Sequence, residues 1–157
     1  MDRIRIIPYA DGYKRDYFEI SRRWLEAYDL LEDADLVILN DPVGQVLEKG
    51  GQIYFAELNG VNAGVITLLP VDEDTSEIHK FGVNEEYRGL GLGKLLLEKV
   101  IAAARAEGKK RLVLCTNHRL AAAQKLYLAC GFKVMPFTGS KYETADILME
   151  LRLDQAG

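Results

Sequence analysis

The sequence is poor in the residues that build disulfide frameworks and metal sites. It holds two cysteines, Cys115 and Cys130, and two histidines among 157 residues. They fall in no ligand-like spacing, so no metal site is expected. Both cysteines lie in apolar contexts and are expected as buried free thiols in a reducing cytoplasm. Long apolar runs are missing too. None approaches the roughly 18 residues of a membrane span, and the opening MDRIRIIPYADG holds no secretion-signal core. An excess of positive charge is also absent. Lys and Arg number 20 against 24 Asp and Glu, a net charge of -4. That gives no ground for general affinity toward nucleic acid or membranes. Repeats, low-complexity tracts and linkers are lacking as well. What is present, 48% hydrophobic and 28% charged residues, suits one compact domain over residues 1–157.

Periodicity divides the chain. RIRIIP (3–8) reads as a strand, and residues 12–29 carry Tyr17, Phe18, Ile20, Trp24, Leu25 and Tyr28 at helical spacing. Residues 33–49 suit a less regular helix broken near Asp41-Pro42. QIYFAEL (52–58) and NAGVITLLP (62–70) read as strands joined at Asn59-Gly60, a strong hairpin signal. SEIHKFGV (76–83) alternates like a strand, which would place Glu77, His79, Phe81 and Val83 on one face. A helix follows, with Leu92, Leu95, Leu96, Val100 and Ala103 on one side and Gly108 at its end. RLVLCT (111–116) is a buried strand, LAAAQKLYLAC (120–130) a helix closed by Gly131, and FKVMPF and TADILMELRL are final strands. The order predicts an α/β or α+β fold: a mixed, mostly antiparallel sheet of about 6–7 strands with about 4 flanking helices.

The stretch YRGLGLGK, Tyr87 to Lys94, poses a charge problem. A helix start already presents partial positive charge, yet Arg88 and Lys94 flank this one. Gly89, Gly91 and Gly93 let the main chain approach a ligand closely. The free N–H groups of the first turn add donors, making an anion site suited to phosphate or pyrophosphate. A P-loop requires a hydroxyl residue after its lysine, but Leu95 follows Lys94. A dinucleotide fingerprint requires G-x-G-x-x-G and a distant acid, but the spacing here is G-x-G-x-G.

The pattern resembles Arg/Gln-x-x-Gly-x-Gly, the acyl-CoA loop of the GNAT N-acetyltransferase superfamily. IHKFGVNEEYRGLGLG resembles the central strand and loop of that family, and AAQKLYLACGF its later Ala-x-x-Leu-Tyr-x-x-x-Gly-Phe segment. FAELNGVNAGVITL is similar to its preceding hairpin. The likeness covers residues 50–135 in matching order. EISRRWLEAYDLLEDADLVILNDP resembles a bacterial subgroup of small or MarR-fused acetyltransferases.

The resemblance implies acetyl-CoA as donor and a primary amine of a small molecule or an amino-acid-like or peptide acceptor, with direct attack in a ternary complex. It implies a sheet splayed between 76–83 and 111–116, where the pantetheine arm lies like an added strand. Phe81, Gly82 and Val83 would meet that arm, with the Val83 N–H toward the thioester carbonyl. Arg88, Gly89, Leu90, Gly91, Leu92, Gly93 and Lys94 would hold the pyrophosphate. Tyr127 would be the acid at the coenzyme sulfur. For the base, Glu77 leads, with His79 or ordered water as alternatives. Asn117 would either hold a pantetheine amide or cap the helix from 118.

The acceptor pocket of such a fold draws on the N-terminal helices, the central strand and the last hairpin. Residues 16–41 carry Asp16, Glu19, Glu26, Asp29, Glu32, Asp33, Asp35 and Asp41 against Arg22 and Arg23. They form either a solvated face or a pocket for cationic amines, with Trp24, Tyr28, Glu32 and Tyr142 as candidate contacts. An acyl-CoA sensor without catalysis is the alternative reading, and an open edge at the C-terminal hairpin would permit a homodimer.

Overall fold

The computed structural model describes residues 2–154. Strand β1 (Ile4–Pro8) precedes helices α1 (Lys14–Ala27), α2 (Asp33–Asn40) and the short α3 (Pro42–Gln45). Then come β2 (Gln52–Leu58), β3 (Val61–Pro70), β4 (Thr75–Val83), α4 (Leu92–Ala106), β5 (Arg111–Thr116), α5 (Ala121–Ala129), β6 (Lys133–Met135) and β7 (Ile147–Arg152). The described residues hold five α-helices where about four were expected, because Asp41-Pro42 divides the 33–49 stretch as anticipated. Pro42 opens α3, where its missing N–H costs nothing, and Asp41 accepts the Gly44 N–H at 3.1 Å.

The sheet has seven strands in the order β1-β2-β3-β4-β5-β7-β6. Among the described residues only β4 and β5 run parallel. Asn59 and Gly60 turn the β2–β3 hairpin with φ of 51° and 85°, the paired left-handed conformation of a type I′ turn.

Helices cover both faces. On one, α4 lays Leu92, Leu96, Leu97, Val100 and Ala104 against Ile66, Leu68, Ile78, Leu112 and Leu114 of the sheet. Each fully buried leucine contributes about 1.5–3 kcal/mol. Leu95, expected on this stripe, is exposed, and Leu97 takes the inward position. Gly108, at φ of 77°, ends the helix as expected. Its N–H bonds the Arg105 C=O and the Lys109 N–H bonds that of Ala104. On the opposite face, Tyr17 and Ile20 of α1 and Ile38 and Leu39 of α2 pack on Ile53, Phe55 and Val65. The open edge anticipated at the C-terminal hairpin is β6, whose three residues are all exposed. No helix among the described residues is long and apolar enough to cross a membrane.

Candidate active site

The site begins where β4 and β5 part. Their pairing covers Thr75–Glu77 against Arg111–Val113 and goes no further. Beyond it, β4 continues alone on that side for about 20 Å, at ~3.3 Å per residue. The Asn84 N–H bonds the Ala63 C=O of β3 at 2.8 Å. Main-chain N–H groups alternate sides along a strand, so those of Val83 and Phe81 face the open cleft. A cavity of about 830 Å³ occupies this cleft and the space beside it.

A β-bulge divides the strand bordering the cavity. Thr67 of β3 faces His79, and Val65 faces Gly82, so Lys80 and Phe81 together oppose Ile66. Lys80 takes the left-handed conformation, with φ of 40°. This corrects the simple alternation expected for 76–83. Ile78 lies in the α4-side core, and Phe81 and Val83 pack against that same core. Glu77 and His79, by contrast, share the Thr67 side, where Tyr17 of α1 bonds the Thr67 hydroxyl. The extra residue reverses the facing of everything after it.

The α4 start lies at the Val83 end. Gly89 and Gly91 have φ of 82° and 81°, which only glycine adopts without strain. Gly91 is the N-cap, so no side chain caps the helix, and its first turn holds no acid. Gly93 serves differently: a Cβ there would lie 3.3 Å from Leu126 and 3.5 Å from Phe81, so its smallness brings α4 against α5. Arg88 and Lys94 border the same end of the cavity. The Leu90 side chain is exposed and Leu92 is core, so these two offer main chain only.

Two groups with proton chemistry reach the cleft from opposite faces. Tyr127 of α5 is 5% exposed, between Phe81 and Phe132 with ring centroids at 5.9 and 5.7 Å. Burial alone pushes its phenol pKa up, and the residue lines the cavity. From the other face, Glu77 Oε1 lies 2.7 Å from His79 Nε2. Burial raises the Glu77 carboxyl, but the His79 hydrogen bond and the charges of His79 and Lys141 outweigh it, and the net shift is downward.

The sequence model of the Acetyltransferase (GNAT) family matches residues 11–132. The chain belongs to this family. The crystal structure of a GNAT-family acetyltransferase from Staphylococcus aureus Mu50 superposes with a TM-score of 0.87 at 26% identity, covering 96% of this chain and 99% of that one. The structure of yncA from Salmonella typhimurium with acetyl-CoA gives a TM-score of 0.71 at 26% identity, covering 99% and 96%. Human N-acetylaspartate synthetase is 33% identical over 132 residues, which are 83% of this chain and 42% of that protein. The chain spans about half the length of the curated relatives it matches.

The acceptor side of this GNAT chain differs from the expected one. Trp24, Tyr28 and Tyr142 do line the cavity. Gly82 makes room for Trp24: a Cβ there would stand 2.2 Å from the indole. Glu32 lies outside the cavity lining. Its carboxylate accepts from the Glu143 N–H at 2.8 Å, the Thr144 N–H at 3.0 Å and the Thr144 hydroxyl at 2.5 Å, and so pins the 136–146 loop to the start of α2. Of the eight acids between 16 and 41, Asp35 alone lines the cavity among the described residues. The acidic pocket is therefore not formed. Glu19 and Glu26 instead pair with Arg22 on the surface.

Asn117 is neither free nor a helix cap. Its Oδ1 accepts from the Arg119 N–H at 2.8 Å, and its amide donates to the Thr144 carbonyl. The helix starts later, with Leu120 at its N-cap and no side-chain cap. Asn117 is 7% exposed and borders the cavity as a second anchor for the 136–146 loop.

Sequence reasoning missed Lys80. Its ammonium is 2.5 Å from Asp35 Oδ1 and 3.1 Å from the Tyr142 hydroxyl, and it lies 4.3 Å from the Tyr142 ring centroid. A signal existed: on plain alternation Lys80 would share the core face with Ile78, an untenable place for a charge, so the strand had to change phase. Burial lowers its pKa, and Asp35 offsets this only in part.

Proposed function

We propose that the chain is an acetyl-CoA-dependent N-acetyltransferase that acetylates a primary amine of a small-molecule or peptide acceptor by direct attack. One observation carries the reading. The cleft between β4 and β5 opens at one end onto an uncapped helix start flanked by Arg88 and Lys94, and Tyr127 lies along it. The residues fit an acyl-CoA. The first amides of α4 with Arg88 and Lys94 suit its pyrophosphate, and the Phe81 and Val83 main chain suits its amide-bearing arm. When bound, acetyl-CoA supplies an activated acyl carbon and a thiolate leaving group.

The chain's own groups manage the protons and the charge. An alkyl ammonium with a pKa near ~10.4 must lose a proton before its nitrogen can attack. His79 takes that proton, and the Glu77 carboxylate, held ionised, stabilises the imidazolium that results. The Val83 N–H faces the oxygen on which negative charge grows. As the carbon–nitrogen bond forms and the carbon–sulfur bond breaks, Tyr127 would hydrogen-bond the departing sulfur and pass it the phenol proton, and the second proton shed by the new amide nitrogen would return the phenol to its neutral form. The raised pKa of the phenol keeps that proton in place at neutral pH. The two free cysteines, Cys115 and Cys130, are half-buried and not buried as expected, and partial burial still pushes their pKa values up, which goes with a reducing cytoplasmic setting.

Release of CoA thiol with a panel of amines tests the reading. Tyr127→Phe is expected to lower kcat about 10²-fold, the lower end of acid–base contributions, with acetyl-CoA affinity by calorimetry nearly unchanged. Acetyl-CoA binding without thiol release for any amine would replace the enzyme by an acyl-CoA sensor.

A further inference from the structure

The charges around the cavity are lopsided. Lys49, Lys80, Arg88, Lys94 and Lys141 line it against Asp35 and Glu77, in a chain whose net charge is -4. Both carboxylates are already engaged. Asp35 meets Lys80 and the Glu32 N–H, and Glu77 meets His79. Arg88 and Lys94 belong to the helix-start end. Lys49 and Lys141 are left over. The Lys49 ammonium donates to the neutral Gln45 side chain at 3.1 Å, and the Lys141 ammonium lies 5.2 Å from the Tyr142 ring centroid. Neither has a carboxylate within ion-pair distance among the described residues.

Their position matters as much as their freedom. Leu69, Pro70 and Val71 border the cavity with Lys49. Leu69 is the β3 partner of Glu77, and Pro70 packs beside Gly50, next to Lys49. Lys49 therefore stands at the Glu77 end, far along β4 from the glycine loop. Lys141 is at the same end, near enough for its charge to act on both Glu77 and Lys80. A purely cationic acceptor would meet uncompensated ammonium groups here, and a carboxylate would neutralise them.

Resting on the transferase reading above, we propose that the acceptor is a small amine bearing a carboxylate, an amino acid or close analogue. Lys49 and Lys141 hold the carboxylate, and the amine faces the Glu77–His79 pair. Exposed lysines act here as a selectivity device more than as an affinity device. The amine must reach the base, and two unpaired cations beside it choose which amines are welcome.

Leucine, aspartate, leucinamide and putrescine make the test panel. With the full chain and saturating acetyl-CoA, kcat/KM for leucine or aspartate is expected to exceed that for leucinamide about tenfold, with putrescine lowest. In Lys49→Gln/Lys141→Gln the leucine-to-leucinamide ratio should fall toward one, chiefly through KM, while calorimetric acetyl-CoA binding confirms a folded site. Leucinamide matching leucine, or a ratio indifferent to the double substitution, overturns the inference while leaving the transferase intact. If no amine releases CoA, the transferase reading fails, and binding decides separately. N-acetylleucine titrated into CoA-loaded protein should bind more tightly than N-acetylleucinamide, and equal or absent binding of the two overturns the carboxylate site.

Discussion

Replacing Lys80 by Met is the sharpest test of how the site is held. The side chains of Lys80 and Asp35 are 5% and 4% exposed and meet at 2.5 Å. Met preserves most of the length and packing of the lysine stem but removes its charge. The Asp35 carboxylate then keeps only the Glu32 N–H, at 2.8 Å, as a partner. Breaking one side of a buried ion pair costs about 3–5 kcal/mol, most of it for the charge left behind. In a chain of this size each kcal/mol lowers Tm by roughly 2–4 °C, so a fall of about 6–20 °C is expected. Adding Asp35→Asn removes the stranded charge while still accepting the Glu32 N–H. Lys80→Met/Asp35→Asn should therefore be more stable than Lys80→Met alone, with a coupling of about 2 kcal/mol or more in urea denaturation. A single substitution costing under ~1 kcal/mol, or two effects that simply add, would show that the pair does not carry the bulge.

Two further predictions concern the base and the packing beneath it. Glu77 has a lowered folded pKa, so its stabilising contribution is complete above the ordinary glutamate value and fades as pH falls through the lowered one. Glu77→Gln should flatten that part of the stability–pH curve. It should also leave the acid limb of kcat/KM in place, whereas His79→Gln should abolish that limb; a limb surviving in both variants would move the base to ordered water. Gly82→Ala drives a Cβ into the Trp24 indole, 2.2 Å away, at an overpacking cost of about 1–3 kcal/mol. A smaller side chain at 24, as in Trp24→Leu, should recover part of this loss in thermal melts, and no recovery would place the strain elsewhere.

Much of the architecture was legible because its determinants are local. Asn59-Gly60 and Pro42 set backbone angles within a few residues, and Gly89 and Gly91 do the same for the glycine loop. The helix from Leu92 shows its 3.6 period directly, although the choice between Leu95 and Leu97 was missed. That choice depends on how α4 rotates against the sheet. The role of Glu32 was unreadable for a similar reason: it is spent on main-chain groups 111 and 112 residues away. As a line of letters, it looked like one more acid in an acidic tract.

From the chain alone came the family, the succession of strands and helices and the glycine loop, because glycine conformations and hydrophobic periods are written into neighbouring residues. Only the folded molecule decided which way each β4 side chain faces, since a bulge is defined by the register against another strand. It likewise decided the charge of the cavity. Asp35 and Lys80, 45 residues apart, cancel there, while Lys49 and Lys141 have no carboxylate within ion-pair distance among the described residues, a balance set by distances in space that no local pattern contains.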